Sequence, residues 1–258
     1  MSSTTPALLA QGITKTYLGG LRAVSGVDLA IERGQCLALV GQSGSGKSTL
    51  ARCLLGVEPM DSGRVWLGDD ELTALKGRPY RHRRARIQAV FQSATDSFNA
   101  RLPLLTSVLE PLDCQPEVLR RRVAEAGGRR QLAEQLFERV ELPTTLLDRM
   151  PGRVSGGQLQ RAAIARALSI EPELIVLDEP TASLDVSLQA RILNLLKDLQ
   201  EDLQVSMLFI THDLAAARFV ADQIVVMRHG QFIDEFPAQD LCAEQRDPYT
   251  RELVSLFS

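Results

Sequence analysis

Hydrophobic and polar residues alternate along Val27-Asp28-Leu29-Ala30-Ile31 and Arg64-Val65-Trp66-Leu67, with glycine-containing turns between them. A period of two bounded by turns predicts short antiparallel strands, each with one covered face. Cys36-Leu37-Ala38-Leu39-Val40 breaks this alternation. It is apolar throughout, so both faces need cover, as in the parallel sheet of an α/β protein. Residues 174–177 and 206–210 read the same way. Between residues 94 and 151 the pattern turns helical and charge-rich: Arg120-Arg121-Arg122-Val123 is followed by Leu132, Leu136, Phe137 and Val140 at helix-face spacing. This predicts a helical insertion. Over 189–203, Ile192, Leu195, Leu196, Leu199 and Leu203 form one stripe of an amphipathic helix that should cover the sheet. Strands return at 224–227 and 231–235, joined by Arg228-His229-Gly230 as a hairpin turn. A short polar tail is expected after them. With no internal repeat, one domain with two lobes is the simplest division.

Composition narrows the function classes. The chain has 258 residues, 45% hydrophobic and 24% charged, which suits a single substantial core. A net charge of -3 argues against a protein that coats nucleic acid, because neutralising phosphates needs clustered excess cations. Cys36, Cys53, Cys114 and Cys242 show no CxxC spacing, so they read as reduced thiols rather than a zinc or iron–sulfur site. No run approaches the roughly 18 apolar residues of a membrane span, and the opening MSSTTPALLAQ has no signal-peptide pattern. A soluble, intracellular protein is therefore expected.

The chemistry concentrates at strand ends. Gly41-Gln42-Ser43-Gly44-Ser45-Gly46-Lys47-Ser48 fits G-x-x-x-x-G-K-[ST] between a buried strand and a helical run that starts at Thr49. Such a loop wraps phosphates with backbone N–H groups, aided by the positive end of the helix. Lys47 should reach the β- and γ-phosphates, and the Ser48 hydroxyl should bind Mg²⁺. Ile175-Val176-Leu177-Asp178-Glu179-Pro180 delivers two carboxylates to a strand end, where α/β sheets open onto their ligand crevice. Asp178 would hold Mg²⁺ through water. Glu179 would orient and deprotonate the attacking water. The alternative is a solvated acidic pair capping the next helix. Thr211-His212-Asp213 ends the third buried strand, so His212 reaches the same rim and could donate to the γ-phosphate; elsewhere it would be an ordinary surface histidine. Ser155-Gly156-Gly157-Gln158 opens a helix. It reads either as a plain N-cap or as a second phosphate grip serving a nucleotide held by another subunit.

Taken together, these segments resemble the ATP-binding subunits of ABC transporters over nearly the whole chain. The resemblance rests on the phosphate loop, Gln92 in Val90-Phe91-Gln92, Ser155-Gly156-Gly157-Gln158, Leu177-Asp178-Glu179-Pro180, Ser183-Leu184-Asp185 and His212, in the family's order. It implies a P-loop NTPase (RecA-like) α/β core of mixed sheet, an antiparallel β subdomain and an inserted α-helical subdomain. Residues 1–92 and 167–235 would form the catalytic core, 93–166 the helical subdomain and 236–258 the tail. It also implies face-to-face pairing of two ATPases. Each ATP would lie between one chain's phosphate loop (Gly41, Ser43, Gly44, Ser45, Gly46, Lys47, Ser48, Thr49) and the other chain's Ser155, Gly156, Gly157 and Gln158. Gln92 would touch Mg²⁺ and the attacking water, Asp185 would communicate across the pair, and Tyr17 would stack on adenine. For Tyr17, packing into the core is the competing role.

Within the family, Phe91-Gln92-Ser93-Ala94-Thr95-Asp96-Ser97-Phe98-Asn99 and Asp247-Pro248-Tyr249-Thr250 are most similar to segments of dipeptide, oligopeptide and nickel importers. Partners implied are a second ATPase of the same or a related chain, two transmembrane permease subunits and an extracytoplasmic substrate-binding protein, with the chain peripheral on the cytoplasmic face of the inner membrane. Val154 stands where the family signature usually has Leu, and Ala94 and Ala100 replace prolines near the expected permease contact. The few residues after Thr250 tilt the cargo towards nickel or a metal chelate. A non-transport ATPase of a phosphonate-cleaving complex is the alternative. The run Arg78, Arg81, Arg83, Arg84 and Arg86 reads as a solvated helical face, since no interleaved aromatics support nucleic-acid binding.

Overall fold

The computed structural model describes residues 5–182 and 184–256; Ser183 of the Ser183-Leu184-Asp185 segment lies outside them. The chain begins with β1 (Leu8–Thr16), β2 (Arg22–Ile31), β3 (Cys36–Val40), α1 (Lys47–Leu54), β4 (Ser62–Leu67), β5 (Asp70–Glu71), α2 (Gly77–Arg84) and β6 (Ile87–Val90). A helical stretch follows: α3 (Leu104–Asp113), α4 (Pro116–Ala126), α5 (Arg129–Arg139) and α6 (Gly156–Leu168). The chain then returns to the sheet through β7 (Leu174–Asp178), α7 (Val186–Leu203), β8 (Ser206–Thr211), α8 (Leu214–Val220), β9 (Gln223–Arg228) and β10 (Gln231–Pro237), and ends in α9 (Pro248–Leu256).

The two strand patterns of the sequence separate into two sheets. The alternating strands form an antiparallel sheet in the order β2-β1-β4-β5, and the all-apolar strands lie inside a sheet ordered β10-β9-β3-β8-β7-β6. In the second sheet all pairs are parallel except β9–β10.

Both faces of that sheet are covered, and side chains divide between them with the strand period of two. Cys36, Ala38 and Val40 face one core, together with Ile175, Leu177, Met207, Phe209 and the helical stretch. Leu37 and Leu39 face the other, with Leu174, Val176, Leu208, Ile210 and the antiparallel sheet. This is why β3, β7 and β8 carry no polar alternation. In α7, Ile192, Leu195, Leu196 and Leu199 are buried and Leu203 partly so.

Two expectations need correction. The segment after β10 is not a polar tail: α9 buries Tyr249, Thr250 and Leu253. Nor is the arginine run one solvated face. Arg78 and Arg81 are exposed, but Arg83 bridges Asp70 at 2.7 Å and Glu173 at 2.5 Å and donates to Leu67 O at 2.7 Å. Arg84 donates to the carbonyls of Leu55 and Ile87, and Arg86 to that of Ile170. Carbonyls left over at helix and strand ends need donors, and this half of the run supplies them. The four cysteines are unpaired, and burial pushes the Cys53 thiol up to about 11.

Candidate functional site

Strand register sets the site. Val40 pairs with Thr211, Ile210 with Asp178, and Leu177 with Val90. The segments leaving these strands, which carry Gly41, His212, Glu179 and Gln92, therefore emerge at one level along the carboxyl edge of a parallel sheet. That edge is where such sheets bind ligands.

The loop after β3 needs glycine at two points. A Cβ on Gly41 (φ 151°) would lie 2.2 Å from Met227 O, and one on Gly46 (φ 111°) 2.2 Å from Ala23 O. No other residue permits that approach. The loop then runs into the N-terminus of α1, whose first-turn N–H groups have no intrahelical acceptor. Lys47 is buried, and its Nζ donates to Gly41 O at 2.7 Å and Gln42 O at 3.0 Å. Burial holds its pKa below the usual lysine value, against the pull of Glu179 and Asp178. A buried ammonium satisfied only by its own loop is poised for a stronger anionic partner. The Ser45 hydroxyl is buried with no hydrogen-bond partner.

Ser48 Oγ donates to Asp178 Oδ1 at 3.2 Å. Burial raises the Asp178 pKa despite that hydrogen bond and the nearby Arg52 and Lys47 charges. A carboxylate short of solvation beside a hydroxyl is a donor set that suits a hard cation such as Mg²⁺. Glu179 follows with φ 49°, a left-handed conformation for a residue with a Cβ, and its N–H is fixed to Ile210 O at 2.9 Å. Such strain, of order 1–3 kcal/mol, tends to collect at functional sites. His212 Nδ1 lies 3.2 Å from Glu179 Oε1.

Tyr17, Ser43, Gly44, the run from Gly46 to Thr49 and Glu179 line one cavity of about 370 Å³. Tyr17 is half-buried at its wall rather than packed in the core, with its hydroxyl 3.5 Å from Thr49 Oγ1. Gln92 lines an adjoining cleft with Ser48, Asp178 and Glu179. Ser155, Gly156, Gly157, Gln158 and Asp185 line neither. Ser155 forms a full capping box with Gln158 (Ser155 N–H to Oε1 2.9 Å; Gln158 N–H to Oγ 3.3 Å), and Asp185 Oδ1 caps α7 by accepting from Leu188 N–H at 3.0 Å.

Two arginines escaped the sequence reading. Arg52 lies one helical turn after Ser48 and faces the cleft beside Asp178; the four-residue spacing was the available signal. Arg166 of α6 donates to Ser97 O and stacks 4.6 Å over Phe98, tying the segment after Gln92 to the helix that starts at Gly156. Nothing in sequence spacing links the two.

A glycine cradle, a buried lysine, a serine–aspartate pair and a strained glutamate at one sheet edge are the parts of a nucleoside triphosphatase, and comparison with known proteins agrees. Residues 24–182 match the ABC transporter family. The chain belongs to that family. It is an ATPase of the ATP-binding cassette type. A candidate peptide import ATP-binding protein of Brucella abortus is 44% identical over 235 residues, 91% of this chain and 69% of its own length. One of Brucella ovis with the same description is 37% identical over 254 residues, 97% and 78%. Among solved structures, the dimeric cassette MJ0796 bound to ADP and Pi superposes with a TM-score of 0.76 at 30% identity, covering 90% of this chain and 98% of that one. The cbiO1 protein of Clostridium perfringens, part of the ABC transporter complex cbiONQ, gives 0.79 at 27% identity, covering 93% and 92%. Among the described residues no helix is long and apolar enough to cross a membrane.

Proposed function

We propose that this chain is the ATP-hydrolysing subunit of a peptide importer, working as a face-to-face pair beneath two permease subunits on the cytoplasmic side of the membrane, with a separate extracytoplasmic binding protein delivering cargo. The names of relatives 37–44% identical support peptides over a nickel chelate. The observation that carries the pairing is that Ser155, Gly156, Gly157 and Gln158, which open α6, do not line the phosphate cavity of their own chain. In this reading a second copy or a related subunit brings that helix start to a nucleotide held at Gly41–Ser48.

In this reading Tyr17 stacks on adenine, and the N–H groups of Ser43, Gly44, Ser45, Gly46 and Thr49, together with Lys47, bind the phosphates. Ser48, Asp178 and Gln92 hold Mg²⁺, which when bound neutralises charge on the phosphate oxygens. Glu179 takes a proton from water as its oxygen attacks the γ-phosphorus and the bond to ADP breaks. His212 steadies the Glu179 carboxylate and faces the γ-phosphate. The partner's Ser155, Gly156, Gly157 and Gln158 close over that phosphate, and Asp185 relays the state of one site to the other. Residues 93–166 form the lobe that moves with the permease, and Arg166 transmits that movement to Gln92.

The test is reconstitution. Co-expressed with candidate permease and binding-protein subunits, the chain should copurify with them in membranes, and its ATPase rate should rise when peptide-loaded binding protein is added. Copurification with a soluble enzyme complex instead would sink the importer reading.

A further inference from the structure

We propose that Tyr249 is a positioning residue for the phosphate loop and that the last helix braces the nucleotide site from behind. The inference rests on nucleotide binding at the loop after β3.

Tyr249 is 4% exposed, and its Oη accepts a hydrogen bond from Gln42 N–H at 3.4 Å. Its ring lies 4.4 Å beneath the Arg228 guanidinium. Arg228 opens the turn whose Gly230 N–H donates to Ser45 O at 2.9 Å. The C-terminal elements therefore grip the loop at both Gln42 and Ser45. The helix is itself seated by Asp234 of β10, whose Oδ2 accepts from Asp247 N–H at 2.8 Å and from Thr250 Oγ1 at 2.9 Å, while Asp247 Oδ1 caps the helix through Tyr249 N–H at 2.8 Å. Thr250 is fully buried. Asp247, Tyr249 and Thr250 thus fix one hydroxyl against one loop amide.

That amide lies where the loop changes partners. The Lys47 ammonium holds the Gly41 and Gln42 carbonyls at 2.7 and 3.0 Å. A triphosphate that draws Lys47 away releases both carbonyls, and the Tyr249 hydroxyl keeps the Gln42 peptide in place. A loop held in its binding shape loses less entropy on binding.

The test uses the full chain with Mg²⁺ and a fluorescent, non-hydrolysable ATP analogue, with amide hydrogen exchange read across the loop. Tyr249→Phe, which keeps the Arg228 stack and removes one neutral hydrogen bond, should weaken binding about 3- to 10-fold and speed exchange at the Gln42 amide. Thr250→Val, which unseats the helix at Asp234 without touching the loop, should act in the same direction. Glu252→Ala, on the exposed side of the helix, should change nothing. Wild-type affinity with unchanged Gln42 exchange in both variants overturns the proposal. So does a loss of affinity with exchange accelerated throughout β3 and α1, which marks Tyr249 as merely structural. Lys47→Ala separates the two ideas: retained affinity there overturns the nucleotide site itself, not the brace.

Discussion

His212 Nδ1 stands 3.2 Å from Glu179 Oε1, joining the residue after β8 to the residue after β7. Glu179 is held twice, by its N–H on Ile210 O and by this imidazole, so both its backbone and its carboxylate are fixed by the neighbouring strand end. Replacing it with Gln keeps the shape and the bond to His212 but removes the proton acceptor. Turnover should fall by roughly 10² to 10⁴ while ATP binding persists. Single-turnover hydrolysis alongside equilibrium binding measures both, and near-normal hydrolysis removes Glu179 from the role of base.

Asp178 pits stability against function. Burial raises its pKa above the ordinary 3.8, so as pH climbs from there the unfolded chain ionises first and the native state loses stability. The loss is complete above the raised value and persists at neutral pH. Asp178→Asn cannot ionise. It should therefore raise Tm without nucleotide at pH 7 by roughly 1–3 °C, a gain kept small by partial solvent screening, and the gain should vanish near pH 3. The same variant should lose the extra thermal protection that Mg²⁺ gives to the ATP-bound chain. An unchanged Tm at both pH values would contradict a burial-raised Asp178.

The sequence displayed most of this edge because one-dimensional rules apply there. An all-apolar strand announces its two covered faces, and Gly41, Gly46 and Lys47 occur at the spacing a phosphate loop requires. The arginine run misleads because charge alone cannot tell a solvated guanidinium from one that satisfies carbonyls; Arg83 depends on Glu173, 90 residues away. The buried tail was hidden for a similar reason. Tyr249 and Leu253 stand four residues apart, as on a helix face, but the segment is only nine residues long, and the burial of Tyr249 and Thr250 depends on Asp234 and Arg228 in the preceding hairpin.

Arg83 and Arg81 make a controlled pair for that correction. Arg83 joins β5, β4 and the residue before β7 through Asp70, Leu67 O and Glu173. Removing one partner of a part-buried ionic network leaves the others unsatisfied, so Arg83→Ala should cost about 1–3 kcal/mol and lower Tm by roughly 3–10 °C. Arg81 is exposed and in none of the ion pairs found among the described residues. Arg81→Ala should stay within about 0.5 kcal/mol of the parent. Thermal melts of the two, compared at low and high salt, decide it; equal losses would restore the reading of one solvated face.

The pairing of chains makes the strictest demand. If the Ser155 helix start completes the site of a partner, a chain carrying Lys47→Ala has a ruined loop but a sound signature, and one carrying Ser155→Arg has the reverse. Ser155 caps α6 through Gln158 N–H, so its loss also removes an N-cap worth about 1 kcal/mol, and the melting curve of Ser155→Arg must first show a folded chain. Each variant alone should be inactive. When the two are mixed, about half of randomly formed pairs are mixed pairs with one intact composite site, so roughly a quarter of parental sites should regain hydrolysis, provided each site turns over independently and the variants pair as readily as the parent. Crosslinking confirms that mixed pairs form. Complete inactivity of a mixture shown to contain them would mean that loop and helix start act within one chain or not at all.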